Sequence, residues 1–102
     1  MGVKAGVADL HLPVPKGMYS GLYIEMKFGD GRLEDSQKRF LRTAAKYGNF
    51  CVVCYDAETA TKIIDEYVRL QPVEVFNKYK MDTPNASIIK GGKVKPIPEA
   101  KN

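Results

Sequence analysis

Asp9 and the triplet Glu25-Met26-Lys27 are the residues of this chain whose types and spacing could do chemistry. Strand side chains alternate faces with period 2. In Leu22-Tyr23-Ile24-Glu25-Met26-Lys27-Phe28, one face therefore carries Leu22, Ile24, Met26 and Phe28, and the other carries Tyr23, Glu25 and Lys27. Burying four large apolar side chains supplies several kcal/mol, at about 1.5–3 kcal/mol each, and holds such a strand rigid. The opposite face then presents a carboxylate and an ammonium with one residue between them. An acidic residue before a turn, then Glu-x-Lys on the next strand, is a minimal set for metal-dependent phosphodiester hydrolysis. Mg²⁺ or Mn²⁺ takes hard oxygen ligands and keeps several waters. Asp9 and Glu25 are the candidate carboxylate ligands, with the Met26 backbone carbonyl as a candidate third. Lys27 can hold or help deprotonate the attacking water and offset charge in the transition state. Glu-x-Lys also occurs on many solvated strands with no catalytic part to play, so the flanking sequence has to decide.

The elements that would position these residues follow from pattern and punctuation. A loop over 2–8 leads to a short strand around Asp9–Leu12, on which Asp9 and His11 share a face. His11 stands near the candidate metal site either as part of it or as a tolerated polar neighbour. Pro13, Pro15, Gly17 and Gly21 mark a turn, which makes this strand and the Glu25 strand an antiparallel pair. In that turn Lys16 and Tyr19 are candidates for touching DNA or for merely solvating a loop. Gly29-Asp30-Gly31 breaks the chain, and a helix is expected from about Asp35 to Lys46 with Gly48 as its stop. Its stripe at helical spacing is Gln37, Phe40/Leu41, Ala44 and Tyr47/Gly48, while Lys38, Arg39 and Arg42 lie off that stripe, facing phosphates or water. Phe50–Tyr55 is nearly continuous apolar, as for a strand covered on both faces. Strand, helix, strand implies a right-handed crossover and parallel pairing with the Glu25 strand. Asp56 is placed to cap a second helix, with Ala60, Ile63/Ile64, Tyr67 and Leu70 as its stripe and Pro72 beyond its end. Val73–Phe76 is a candidate strand, and Ser87 to Lys95 a candidate hairpin around Gly91-Gly92.

At 102 residues one domain is expected, and 44% hydrophobic with 27% charged residues suits an ordinary globular fold. The formal net charge of +4 permits a nucleic-acid partner without demanding one. Residues 1–70 carry 10 basic and 9 acidic side chains, whereas residues 71–102 carry 6 and 3. The basic end is a candidate for phosphate contacts, for an arm around a second subunit, or for a solvated extension. Cys51 and Cys54, the two cysteines, form C-x-x-C inside the apolar run. With no second pair and one histidine they read as buried structural residues rather than a zinc or redox site. A reducing, intracellular setting is the expectation. No apolar run approaches transmembrane length, no signal peptide is visible, and no membrane association is expected.

Four spaced motifs are similar to the VRR-NUC (virus-type replication-repair nuclease) domain of the PD-(D/E)xK nuclease superfamily. They are Gly2-Val3-Lys4-Ala5-Gly6-Val7-Ala8-Asp9-Leu10, Gly21 to Lys27, Gly31-Arg32-Leu33 ahead of Gln37, and Gly48 to Cys54. The resemblance covers about residues 2–70. It implies that Asp9 and Glu25 are metal ligands, that Lys27 is the water-orienting or general acid/base group, and that Gln37 faces the active site as an auxiliary residue. It departs from the family pattern at Ala8, where proline is usual, a change that touches loop stiffness. A helix that supplies another glutamate in many members is expected to be missing, because Met1 leaves no room for it.

The expected fold is α/β, a small mixed sheet flanked by helices with a restriction-endonuclease-like core. Residues 1–70 form the nuclease core, and residues 71–102 a basic extension that is a hairpin or a dimerisation arm. The expected function is that of a Mg²⁺- or Mn²⁺-dependent, structure-specific DNA endonuclease. It resembles Holliday-junction resolvases, works as a homodimer on branched DNA, and is of viral or prophage origin. Two alternatives stand beside it: a nucleic-acid-binding module with an incomplete site, and a protein-interaction domain of a replication or repair complex.

Overall fold

Alternating side chains on two central strands set the layering. The computed structural model describes residues 8–28, 32–76 and 86–89. Strands β1 (Leu10–Leu12), β2 (Leu22–Met26), β3 (Phe50–Cys54) and β4 (Ala86–Ile88) form one sheet in the order β1-β2-β3-β4. β1 is antiparallel to β2, β2 parallel to β3, and β3 antiparallel to β4. The connection between the two parallel strands passes through a helix, as a crossover requires. Even-numbered residues Leu22, Ile24, Phe50, Val52 and Cys54 face one way and pack with Ala60, Ile63 and Tyr67 of helix α2 (Ala57–Val68). Odd-numbered Tyr23, Cys51 and Val53 face the other way, against Leu41 and Ala45 of helix α1 (Asp35–Lys46). All five residues of β3 are buried, as a strand covered on both faces must be. The fold is the expected α/β arrangement of a small mixed sheet flanked by helices. Among the described residues, no helix is long and apolar enough to cross a membrane.

The helix ends follow local chemistry. Asp56 caps α2 by accepting the Thr59 N–H at 2.7 Å, the expected N-cap geometry. At the start of α1 the Gln37 side-chain oxygen accepts the Glu34 N–H at 2.8 Å. At its end Gly48 takes φ 95, a left-handed conformation suited to glycine.

Several expectations need correction. β2 stops at Met26, and Phe28 is 64% exposed, so its apolar face is Leu22 and Ile24, buried, with Met26 partly buried against the same core. Tyr47 and Ile64 lie to the side of their helices' contact stripes and are exposed, because a helix lying on a sheet buries one narrow face. Tyr19 is core, not a DNA contact. Its ring packs against Phe50, Tyr67 and Phe76, and its hydroxyl accepts the Phe76 N–H at 3.1 Å.

Val73–Phe76 is not a strand. Gln71 to Glu74 make a turn closed by the Glu74 N–H on the Gln71 carbonyl at 3.0 Å. Val73 sits at φ 64, a position that normally calls for glycine, at a cost of about 1–3 kcal/mol. The turn delivers Phe76 into the core at 4% exposure. Downstream, Ala86 is buried and β4 pairs with β3, so part of the stretch expected as an extension completes the sheet. Gly91-Gly92 and the rest of the expected hairpin lie outside the described residues.

The C-x-x-C pair is split by the same alternation. Cys51 faces α1 and Cys54 faces α2, so the two sulfurs cannot serve one site. Both are free and buried, and burial pushes the Cys51 thiol up to about 12 and the Cys54 thiol up to about 11. A thiol held protonated by the fold contributes stability that is complete below its ordinary value of 9.0 and drains as the pH rises toward those values. Native protein at about pH 8 should therefore leave both thiols unreactive toward a disulfide reagent, with both released on denaturation. Urea midpoints should begin to fall above about pH 9 in wild type and less in Cys51→Ala/Cys54→Ala. Rapid native labelling of either thiol would contradict this packing.

Candidate active site

Glu25 is the one buried charged or polar residue among those described, at 2% exposure. Its odd number puts it on the α1 face of β2, so the face that alternation alone would leave to solvent is roofed by a helix. Gln37, on the first turn of α1, donates from Nε2 to Glu25 Oε2 at 2.9 Å. The other end of the same amide holds the Glu34 N–H. One side chain thus caps the helix and fixes the carboxylate, which no helical-wheel reading would reveal. Lys27 Nζ stands 3.9 Å from Glu25 Oε2, an ion-pair distance too long for a hydrogen bond. Its donors are therefore not taken up by Glu25.

Asp9 is brought in by the end of a strand ladder. It bends away just before β1 and its Oδ2 accepts the Met26 N–H at 2.9 Å. In an extended strand the N–H and C=O of one residue project to the same side, so the Met26 carbonyl lies on the edge that Asp9 occupies. Desolvation raises the Glu25 pKa, and the Asp9 charge raises it further, against the opposing pull of Lys27. Glu25 Oε1 is buried with no hydrogen-bond partner. A buried carboxylate oxygen left unpaired beside a second carboxylate is costly and is what a cation would relieve.

The donor set fits a hard divalent ion. Asp9, Glu25 and the Met26 carbonyl are all oxygen donors, and Mg²⁺ is commonly held by one or two carboxylates and water. Among the described residues no three His, Cys, Asp or Glu side chains gather as a zinc cage requires. Asp9, Glu25, Lys27 and Gln37 are thus brought together. Lys38, Arg39 and Arg42 are exposed on α1 beside and beyond Gln37. Lys16 is not near them. It lies in the turn joining Leu12 to Leu22, at the opposite end of the β1–β2 pair from Asp9 and Met26. His11, singled out beside the site, stacks in parallel on Tyr23, with ring centroids 4.0 Å apart.

Comparison with known proteins places the chain in a family. The sequence model of the VRR-NUC domain matches residues 1–58. No curated protein matches the chain. A solved structure described as a VRR_NUC domain protein superposes with a TM-score of 0.63 at 36% identity, over 71% of this chain. The chain spans 60% of that protein's length.

The unpaired oxygen has a thermodynamic consequence. A carboxyl whose folded pKa is raised is favoured in its protonated form. Stability from this source is intact below the ordinary value of 4.5 and is lost as the pH rises through the raised value. Glu25→Gln escapes that loss. Its melting temperature should exceed wild type by a few degrees at about pH 7.5, with the gap closing near about pH 4. Added Mg²⁺ or Mn²⁺ should raise the wild-type melting temperature and not that of the variant. A variant less stable than wild type at neutral pH would show that Glu25 is satisfied without a cation.

Proposed function

The chain belongs to the VRR-NUC domain family, and we propose that it is a metal-dependent, structure-specific DNA endonuclease acting on branched DNA. The observation that carries the metal dependence is the buried, unpartnered Glu25 Oε1 next to Asp9. Asp9, Glu25 and the Met26 carbonyl would hold Mg²⁺ or Mn²⁺. When bound, the ion supplies Lewis-acid polarisation of the phosphoryl oxygens and a more acidic water.

The chain's own residues do the rest. Gln37 locks the Glu25 carboxylate in one orientation, so its free oxygen does not have to be ordered during the reaction. Lys27, 20% exposed at its side chain, reaches outward from the carboxylate pair. It can orient the attacking water, take or return a proton, and offset charge that builds on the phosphoryl oxygens. Lys38, Arg39 and Arg42, exposed on α1, would meet neighbouring backbone phosphates.

Cleavage should require Mg²⁺ or Mn²⁺. Asp9→Ala or Glu25→Ala should abolish it with the fold retained, and Lys27→Ala should lose rate by about 10²-fold or more with metal affinity kept. Ca²⁺ should support binding without turnover. Cleavage by the wild type in excess chelator, or equal losses of metal affinity and rate in Lys27→Ala, would remove the respective assignment.

One such site cuts one strand. Four-way junctions are resolved by two cuts on opposing strands, so a resolvase form needs a second copy of the chain, and an isologous dimer is the commonest arrangement. We extend the proposal to a homodimer that prefers branched over linear DNA. Sedimentation together with mapping of cleavage on duplex, flap and four-way junction DNA should show a dimer, with paired cuts at the branch. A monomer at assay concentration that cuts linear and branched DNA equally would reduce the function to a general nuclease.

A further inference from the structure

We infer that His11 and Tyr23 form a stacking platform for one unpaired nucleobase, set beside the Asp9–Glu25 site at the β1 edge of the sheet. The inference rests on the nucleic-acid reading above and adds a base-binding subsite to it. Across the β1–β2 pair His11 lies opposite Tyr23, and the two rings are 4.0 Å apart and 2° from parallel. Tyr23 is half-buried and makes a T-shaped contact with Phe40 of α1, with ring centroids 5.2 Å apart at 83°. The ladder Phe40, Tyr23, His11 therefore starts in the core and ends on an exposed ring.

Position makes that last ring useful. β1 is the outermost strand on its side of the sheet, and His11 is exposed. With one imidazole face on Tyr23, the other face is turned outward past the sheet edge, where no further strand follows among the described residues. Asp9 precedes His11 by two residues, just outside the start of β1, a reach of up to about 7 Å of chain. That separation is comparable to the distance from a nucleotide's phosphate to its base. A strand passing the β1 edge can then offer a phosphate to Asp9 and Glu25 and a base to His11.

Covering Tyr23 would be served equally by any long aliphatic side chain. A parallel ring does something more, because it extends a flat surface outward. Exposed flat faces are what proteins use to bind splayed bases of single strands, and every base has a face to stack, so the contact tolerates sequence. A base inside a duplex already has neighbours above and below and cannot take this place. The platform therefore selects nucleic acid in which the base beside the scissile phosphate is unpaired, as at a flap or a branch point.

The test is a cycle read by fluorescence anisotropy, with Ca²⁺ in place of Mg²⁺ or Mn²⁺ so that no cleavage occurs. The probe is a flap duplex carrying either an intact or an abasic first unpaired nucleotide, and the proteins are wild type, His11→Ala and His11→Phe. Wild type should bind the abasic flap about five-fold or more weakly than the intact one. His11→Ala should show the same loss on the intact flap and no further loss on the abasic one, and His11→Phe should bind as wild type does. Unchanged affinity in His11→Ala, additive losses from variant and abasic site, or no binding of the flap would each overturn the platform. Uncoupled binding with cleavage intact in Mg²⁺ would remove the platform alone. Coupled binding without cleavage in either metal would keep the platform and remove the nuclease reading.

Discussion

Glu25 is a carboxylate sealed into the middle of a sheet with one oxygen tied and the other unmet. Much of the α1 side of the molecule is arranged around that condition. Gln37 can reach Glu25 only because α1 starts where its first turn overlies β2. α1 in turn sits there because Leu41 and Ala45 pack on Cys51 and Val53 of the neighbouring strand. The parallel β2–β3 pair, the crossover helix and the buried carboxylate are thus one construction. If the helix slid by a turn, Gln37 would leave its oxygen and the carboxylate would lose its one neutral hydrogen-bond partner among the described residues.

Two consequences of burial reinforce each other at this point. Low local polarity makes the ionised carboxylate expensive, and the same low polarity strengthens its attraction for any cation that arrives. Asp9 contributes in the same sense, since a second negative charge beside Glu25 makes its ionisation costlier still and would strengthen the pull on a cation. Its position depends on a ladder that ends one residue early, so that a side chain rather than a backbone carbonyl takes the Met26 N–H. A fully regular β1 would leave Asp9 without that tether.

Much of this was legible in the residues. Period 2 along Leu22 to Lys27 separates the two faces, the helix over Asp35–Lys46 carries its own stop at Gly48, and Asp56 caps α2 as its type and place require. Spacing also puts Asp9, Glu25 and Lys27 into one motif set, and the family resemblance adds Gln37 to it. What spacing cannot convey is what a distant element will cover. Alternation marks the Glu25 face as polar, and only the return of α1 shows that this face is buried. Phe28 looks like the end of an apolar face and is outside the strand. Tyr19, in a turn rich in proline and glycine, looks like surface and is core because Phe76 arrives from 57 positions away. Val73 at positive φ defeats a strand reading that its residue type favours, since tertiary placement of Phe76 outweighs local preference. Lys16 belongs to the far end of a hairpin whose direction only the register reveals.

β1 has three residues and one neighbour, with Asp9 just before its start and His11 in its middle. Short edge strands open at lower free energy than the core they flank, by local fraying rather than by global unfolding. Asp9 and His11 therefore depend on the segment with the least to hold it, while Glu25 and Gln37 sit on β2 and α1 beneath. On warming, this edge should peel reversibly before the sheet melts, and the tether between Asp9 and Met26 should open with it.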